Sequence, residues 1–282
     1  MRKSIAATIV AMLAALAFSP VAMAQGRGRV APGYIAEGIP KMPNPPGPAP
    51  KRDLSGAWVG VQDRVLGPFP AMTPAGQALF KLNKPYVGFG DLGGKPIPPS
   101  NDPFTICDPL GFPRNLLAHA VSWRGGMLFG SAPDRIIINY DQQRVWREIW
   151  MDGRALPAKV DAVGAPDSRY YGYSVGHWEN DNTLVIDTTG LDERPWLDED
   201  GHPHSSSAHI QERYTRVDQY NMQLTVTVDD PKFYTKPFQY LKGNLYWMKD
   251  QTFEETFCIP SEGLQYRDSL AKPSGLTIEN PK

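Results

Sequence analysis

Three of the five histidines fall within eight positions, at residues 202, 204 and 209, in a Ser/Gly/Pro-rich loop that runs into a strand pattern. Imidazole titrates near neutral pH and also binds divalent metals, so the cluster suits either chemistry. We expect His204 and His209 to act as acid and base. The alternatives are a polar loop without chemical function, or a divalent metal held by His204, His209 and Glu212. Their spacing matches no standard zinc motif, and on an extended strand His209 and Glu212 face opposite sides.

A second set of titratable residues lies in the segment 173–189, where two strand patterns flank a turn at residues 180–182. Pairing around this turn places Val175 opposite Asp187 and makes His177 a diagonal neighbour of Asp187. We interpret His177 as a surface residue. We expect Asp187 to be an inward-facing acid that orients a catalytic histidine.

Arginine and aromatic side chains near these positions indicate a binding site for a small organic molecule. Arg154 ends a strand pattern and Arg194 lies in a Pro-containing loop, where a guanidinium can hold a carboxylate bidentately. The simpler alternative is that each arginine fixes its own loop. Many aromatic residues fall in this part of the chain, and aromatic-lined cavities suit small organic ligands, although core packing uses the same residue types. They are Trp146, Trp150, Tyr170, Tyr171, Tyr173, Trp178 and Trp196, of which we expect Tyr173 and Trp196 to bind the ligand.

From residue 135 onward, short segments of alternating hydrophobic and polar residues flank Asn/Asp-rich turns, which is typical of β-hairpins. Hairpins are predicted at 135–150, 173–189 and 210–228, with a closing strand at 250–257. Thr73-Pro74 predicts one short helix from Ala75 to Asn83. We therefore predict an all-β fold for a single domain at 53–282. It is an antiparallel meander that closes as a lipocalin-like barrel or a strongly curled sheet.

The first 24 residues have the three parts of a cleavable signal peptide: Arg2 and Lys3, an apolar run from Ile5 to Phe18, and Ala22-Met23-Ala24. The apolar run is shorter than the roughly 20 residues that a membrane-spanning helix needs. Cleavage after Ala24 leaves Gln25 first, followed by a Pro/Gly-rich extended lead-in over residues 25–52. We expect a periplasmic or secreted protein without membrane insertion.

Charge and cysteine content narrow the range of partners. The net charge of −1 becomes −3 when Arg2 and Lys3 are removed, because the first 24 residues contain no acidic residue. A near-neutral chain without Lys/Arg runs has no electrostatic signature of nucleic-acid binding. Cys107 and Cys258 are expected to form a disulfide in an oxidising compartment, the alternative being two buried thiols. The sequence contains no Gly-rich phosphate loop after a strand, so we predict no nucleotide cofactor.

Several stretches together resemble a family of secreted bacterial proteins that is largely uncharacterised. They cover most of the chain from residue 53 to about residue 262. The stretches are Asp53-Leu-Ser-Gly-Ala-Trp58, Asn101-Asp-Pro, Cys107-Asp-Pro-Leu-Gly-Phe-Pro-Arg114, Ile149-Trp-Met-Asp-Gly-Arg154, Ser174-Val-Gly-His-Trp-Glu179, Thr183-Leu-Val-Ile-Asp-Thr188, Arg194-Pro-Trp-Leu-Asp198, Pro203-His204-Ser205, His209, Glu212-Arg213-Tyr214 and Asp229-Asp-Pro-Lys-Phe-Tyr-Thr-Lys-Pro237. His177 departs from the basic residue expected in this family. The opening Gly56-x-Trp58 also resembles the first strand of lipocalin-like barrels, which carry small apolar ligands.

The first functional hypothesis is an exported enzyme that acts on a small, partly apolar organic molecule by cofactor-independent proton transfer, as a lyase, isomerase or hydrolase. His204 and His209 are its acid and base, Asp187 orients one of them, and Arg154 binds an anionic group. The alternative is a non-catalytic lipocalin-like carrier of a hydrophobic small molecule. A third hypothesis is an envelope protein that docks a partner through its lead-in. The oligomeric state has no signature in the sequence.

Overall fold

The computed structural model describes residues 45–60, 65–85, 100–119, 126–141, 145–248 and 258–259. The strands are β1 Gly56–Gly60, β2 Val65–Leu66, β3 Gly126–Ala132, β4 Arg135–Tyr140, β5 Trp146–Trp150, β6 Tyr173–Trp178, β7 Thr183–Thr189, β8 His209–Arg216, β9 Asn221–Asp229 and β10 Phe238–Trp247. The helices are α1 Pro74–Phe80, a 3₁₀ helix at Pro103–Ile106 and α2 Arg114–His119. The predicted signal peptide and the predicted closing strand at 250–257 lie outside the described residues.

Nine strands close into a barrel. They are hydrogen-bonded in the order β1-β3-β4-β5-β6-β7-β8-β9-β10, and β1 pairs with β10 to complete the ring. The short strand β2 pairs with β10 at Leu241 and Lys242, beside the ring. The predicted barrel is therefore confirmed. The strand that closes it against β1 is β10, which the sequence analysis did not predict, and β3 was not predicted either.

One pair of neighbouring strands in the barrel is parallel, so the prediction of a wholly antiparallel meander was wrong in this respect. Strands β5 and β6 run in the same direction and pair only at Ile149 with Ser174 and at Trp150 with Val175. A parallel pair needs a long connection that returns the chain to the starting end of the first strand. Residues 151–172 are this connection, and we call them the connector.

The predicted register of the hairpin between β6 and β7 is confirmed. His177 pairs with Val185 and Val175 pairs with Asp187. Inward and outward positions then follow from the period of two along each strand. Leu184, Ile186 and Thr188 of β7 are buried inside the barrel, whereas Asp187 is on the outer face and only partly buried.

The interior of the barrel is filled by side chains. Every second residue of β8 and β9 is buried, including Ile210, Tyr214, Leu224 and Val226. Phe112 and Leu116, just before and within α2, belong to the same core. This continuous apolar burial is the main favourable term that holds the barrel closed.

Loops outside the barrel are fixed by local caps and by one covalent bond. Thr73 caps α1 by accepting a hydrogen bond from the Gly76 N–H at 3.2 Å, so the predicted helix start is confirmed, although the helix ends at Phe80. The predicted disulfide between Cys107 and Cys258 is also confirmed, with the two Cα atoms 5.3 Å apart. Among the described residues, no helix is long and apolar enough to cross a membrane.

Candidate functional site

A buried ion pair lies inside the barrel, between Arg147 of β5 and Glu212 of β8. The Arg147 guanidinium donates to Glu212 Oε1 at 3.2 Å and to Oε2 at 2.9 Å, and the two side chains are 2% and 0% exposed. Residues two positions apart on a strand share a face. Arg147 therefore faces inward together with Ile149 on β5. Glu212 faces inward together with Tyr214 on β8. Arginine and glutamate in a core must pair because an isolated buried charge is very costly.

Hydroxyl groups from other strands complete a polar network around the ion pair. Arg147 also donates to Tyr140 Oη at 3.0 Å, Ser174 Oγ at 2.9 Å and Thr188 Oγ1 at 3.0 Å. The Tyr214 hydroxyl donates to Glu212 Oε1 at 2.7 Å. Burial raises the pKa of Tyr140 to about 12, and burial raises the pKa of Tyr214 as well. Both phenols therefore stay protonated at neutral pH.

A cavity of about 530 Å³ lies beside this network, where β5 and β6 diverge. Only two residue pairs join these strands, so residues 146–148 of β5 are not paired with residues 171–173, which lead into β6 and include its first residue, and a gap is left in the wall. The connector covers the gap from outside. Lining side chains include Trp146, Arg147, Trp150, Arg154, Leu156, Arg169, Tyr170, Tyr171, Tyr173, Ser174 and Val175. We call this space the β5–β6 cavity. Its size is within the range of small-molecule sites.

Arg147 and Ser174 connect the β5–β6 cavity to the interior of the barrel. Both line the cavity and both belong to the buried network, at 3% exposure each. Trp146 and Trp150 face outward from β5 and form part of the outer wall, with Trp146 being 59% exposed. The cavity therefore runs from an aromatic rim at the surface to polar groups at its inner end.

The turn that brings the connector into β6 requires glycine. Gly172 has a positive φ of +62°, and a Cβ there would lie 2.6 Å from the Thr189 carbonyl oxygen. Any larger residue would strain the backbone and push β6 away from β7. Gly172 thereby sets the position of its neighbours Tyr171 and Tyr173 along the cavity wall.

Arg169 carries the positive charge that faces the cavity without a counter-ion. Among the described residues no carboxylate lies within 4.0 Å of its guanidinium, which stacks over the Tyr173 ring at 4.2 Å. The other charges of the lining are compensated: Arg147 pairs with Glu212, and Arg154 pairs with Asp152 at 2.6 Å. Glu148 pairs with Arg135 at 3.0 Å. An anionic ligand group is therefore attracted to Arg169.

The predicted catalytic histidines His204 and His209 lie apart from the two cavities described in this section. His204 is fully buried, with its Nδ1 3.4 Å from the Ser205 carbonyl oxygen, and burial lowers its pKa. His209 is on the outer face of β8, where its Nε2 lies 2.9 Å from Asp187 Oδ1. Neither histidine lines the β5–β6 cavity or the second cavity described below. The catalytic role of these residues stays a prediction.

Asp187 does not face inward, so that expectation was wrong. It occupies an outward position of β7 and accepts a hydrogen bond from Gln211 Nε2 at 3.0 Å in addition to its contact with His209. The hydrogen bond with His209 lowers the pKa of Asp187, and Asp187 in turn raises the pKa of His209. This is an ion pair on the barrel surface.

The alternative metal site of His204, His209 and Glu212 is not assembled. His209 and Glu212 face opposite sides of β8, as the strand alternation predicted, with Glu212 pointing into the barrel, while His204 is in the preceding loop. No cluster of three or more His, Cys, Asp or Glu side chains suited to a metal ion occurs among the described residues.

The predicted binding residues divide between two cavities. Arg154 and Tyr173 line the β5–β6 cavity, whereas Arg194 and Trp196 line a second cavity of about 620 Å³. Ser168 lines both cavities. Arg194 also holds Asp192 at 2.7 Å, and its guanidinium stacks over Tyr170, 4.5 Å from the ring centroid. Trp196 is 5% exposed.

Each loop arginine that the sequence singled out fixes its own loop. Arg154 donates to both oxygens of Asp152, and Arg194 donates to both oxygens of Asp192. Arg114 holds the buried Asp102 in the same way, at 2.8 Å and 2.6 Å. The contacts of Arg154 and Arg194 therefore fit the simpler interpretation, in which each arginine fixes its own loop. A role for Arg154 and Arg194 in binding a ligand remains a prediction.

The sequence analysis missed Arg147 and Arg169. The signal for Arg147 was present, because a charged residue at an inward position of a strand needs a partner, and Glu212 is the opposite charge at an inward position of another strand. Arg169 had no such signal, since the connector has no periodic pattern.

Comparison of the chain with models of known protein families, and with curated protein sequences, found no match. The resemblance to secreted bacterial proteins therefore stays a prediction.

Proposed function

We propose that the protein is a non-catalytic carrier that holds a small, flat organic anion in the β5–β6 cavity. The observation that carries this proposal is an aromatic-lined cavity of about 530 Å³ beside Arg169, a cation without a carboxylate partner in the part of the chain that the structure describes. Flat aromatic walls favour a planar ligand through stacking and apolar burial. The guanidinium of Arg169 favours a carboxylate or sulfonate at the outer end of that ligand.

An exported location is part of the proposal. The disulfide between Cys107 and Cys258 supports it, because disulfides persist mainly outside the cytoplasm. N-terminal sequencing of the protein recovered from the periplasm or the medium should begin at Gln25. A product that retains Met1 would contradict export with cleavage after Ala24.

The first experiment is a fluorescence titration with 8-anilinonaphthalene-1-sulfonate, a flat aromatic sulfonate. Ala155 lines the cavity from the connector, so Ala155→Trp should fill the space and weaken binding at least tenfold. Ala158 is exposed in the same connector but does not line the cavity, and Ala158→Trp is the matched control. Equal binding by the two variants would contradict this cavity as the site.

The second experiment tests the charge. Arg169→Gln should weaken binding of the same probe about tenfold, which corresponds to roughly 1.4 kcal/mol, the size of one charge-assisted hydrogen bond. Binding to the unaltered protein should also weaken as salt is raised, because the cation is exposed to solvent. Arg213→Gln is the control, since Arg213 is on the outer face of β8 and pairs with Glu179. If both variants bind like the unaltered protein, Arg169 is not the anion-binding group.

The enzyme with a histidine acid and base is the less supported alternative, because His204 and His209 line neither cavity. The two functions differ in what happens to the ligand. Native mass spectrometry of protein purified from the periplasm should identify the bound molecule by mass. Incubation with that molecule should return it unchanged if the protein is a carrier. A product that no longer forms after His204→Ala or His209→Ala would establish the enzyme instead.

A further inference from the structure

Two residues that line the β5–β6 cavity carry buried polar donors without an acceptor among the described residues. Arg147 Nε has no hydrogen-bond partner there. The Gly111 backbone N–H is directed at Tyr171 Oη, so the hydrogen of the Tyr171 hydroxyl is the donor that lacks an acceptor. An unpaired buried polar group costs about 1–3 kcal/mol, so such groups are rare and need an explanation. Two such donors among the lining residues of one cavity point to an acceptor that a ligand supplies.

A third incompletely paired residue lies behind these two. Asn115 of α2 is 0% exposed, and neither atom of its amide makes a hydrogen bond of normal geometry to a described residue. The amide is nevertheless near the Tyr140 hydroxyl, which belongs to the network of Arg147. Tyr171 is close enough to both Tyr140 and Arg147 for their charges to affect its pKa. These groups therefore share one neighbourhood.

The charge of this neighbourhood selects the kind of ligand group. Glu212 neutralises Arg147 through two hydrogen bonds, so the inner end carries no net charge. Burial raises the pKa of Tyr171, and its phenol stays protonated as a donor. A second carboxylate placed here would lose its hydration without meeting an uncompensated cation. A neutral oxygen acceptor would gain the two donors at a much lower desolvation cost.

We infer that Tyr171 Oη and Arg147 Nε form a subsite for an uncharged oxygen, a carbonyl or a hydroxyl, at the inner end of the ligand. The inference rests on the proposed function and adds the ligand class: a flat molecule with an anionic group at one end and a neutral oxygen at the other. The Tyr171 phenol and the Arg147 guanidinium both donate to that oxygen. The anionic group stays at the rim beside Arg169.

The test uses three probes that differ only at the inner end: 6-acetyl-2-naphthoate, 6-isopropyl-2-naphthoate and naphthalene-2,6-dicarboxylate. Calorimetric titration should give an affinity for the ketone roughly 3- to 10-fold above that for the hydrocarbon, the range expected for a net hydrogen bond. The dicarboxylate should bind no better than the hydrocarbon. Equal affinities for the ketone and the hydrocarbon would overturn the subsite.

Tyr171→Phe should remove the preference for the ketone while leaving the affinity for the hydrocarbon unchanged. Its Tm without ligand should fall only slightly, because the variant removes the acceptor of a single backbone N–H, that of Gly111. Tyr246→Phe is the matched control, since Tyr246 is on β10 and does not line the cavity. A ketone preference that survives Tyr171→Phe would refute the role of Tyr171. If none of the probes binds, the proposed function fails, and the inference fails with it.

Discussion

The ion pair between Arg147 and Glu212 can be tested by removing one charge at a time. Glu212 receives two hydrogen bonds from Arg147 and one from Tyr214, and its side chain is 0% exposed. Glu212→Gln leaves the Arg147 charge inside the barrel with only the neutral hydroxyls of Tyr140, Ser174 and Thr188. Removing one partner of a buried ion pair typically lowers the free energy of unfolding by about 3–5 kcal/mol, because the remaining charge is uncompensated.

For a domain of this size, 1 kcal/mol corresponds to about 2–4 °C in Tm, so Glu212→Gln should lower Tm by about 6–20 °C. Urea unfolding under non-reducing conditions, monitored by circular dichroism, measures the loss in the free energy of unfolding directly. The double variant Arg147→Met with Glu212→Gln should lose less than the sum of the single losses, because it leaves no unpaired charge. Arg213→Gln is the control, since its partner Glu179 is exposed and such pairs contribute about 0–1 kcal/mol. A loss below about 1 kcal/mol for Glu212→Gln, or simple additivity in the double variant, would refute the reasoning.

Burial lowers the pKa of His204 in the folded protein. As pH falls below about 6.5, His204 of the unfolded chain therefore binds a proton, whereas His204 of the folded protein stays neutral. Stability should then fall by up to about 1.4 kcal/mol per pH unit, and His204→Phe should flatten this slope in urea titrations; an unchanged slope would contradict the assignment. Asp187 raises the pKa of His209, so their ion pair stabilises the fold below pH 6.5 and this contribution is lost as pH rises through the folded-state pKa. NMR titration should give His209 a pKa above 6.5 that Asp187→Asn lowers, and a value at or below 6.5 would be inconsistent with the pair. The Cys107–Cys258 bond closes a span of 151 residues, so replacing both cysteines by serine should cost roughly 5 kcal/mol, less any strain. Free thiols in denatured, unreduced protein would contradict it.

The sequence predicted those parts of the fold that depend on local periodicity. The hairpin at 173–189 has the predicted register because the alternation of hydrophobic residues and the short Asn/Asp turn define both strands and their pairing. The barrel and the disulfide followed from the number of hairpins and from the two cysteines. Alternation identifies the inward face of a strand but not its neighbour, so the parallel pairing of β5 with β6 was not predictable in this way.

The site was predicted less well, for a reason that lies in the fold. His204 and His209 are close in sequence, yet His204 is buried in a loop and His209 is on the outer face of β8, so closeness along the chain did not become a shared site. The buried pair of Arg147 and Glu212 shows the opposite case, because the barrel brings together residues that are far apart in sequence. Strand parity placed Glu212 on the face opposite to that of His209, but parity alone does not say which charge Glu212 meets.

The parallel pairing of β5 with β6 has a consequence for how the protein can change during evolution. The same geometry that requires the connector, residues 151–172, also makes it part of the cavity wall through Arg154, Leu156, Arg169 and Tyr171. The other wall belongs to the strands themselves, which carry the fold. Surface loops accept insertions and substitutions far better than barrel strands do. Proteins with this barrel can therefore diversify the outer half of the cavity through the connector alone, while β5 and β6 keep the inner half and the stability of the sheet unchanged.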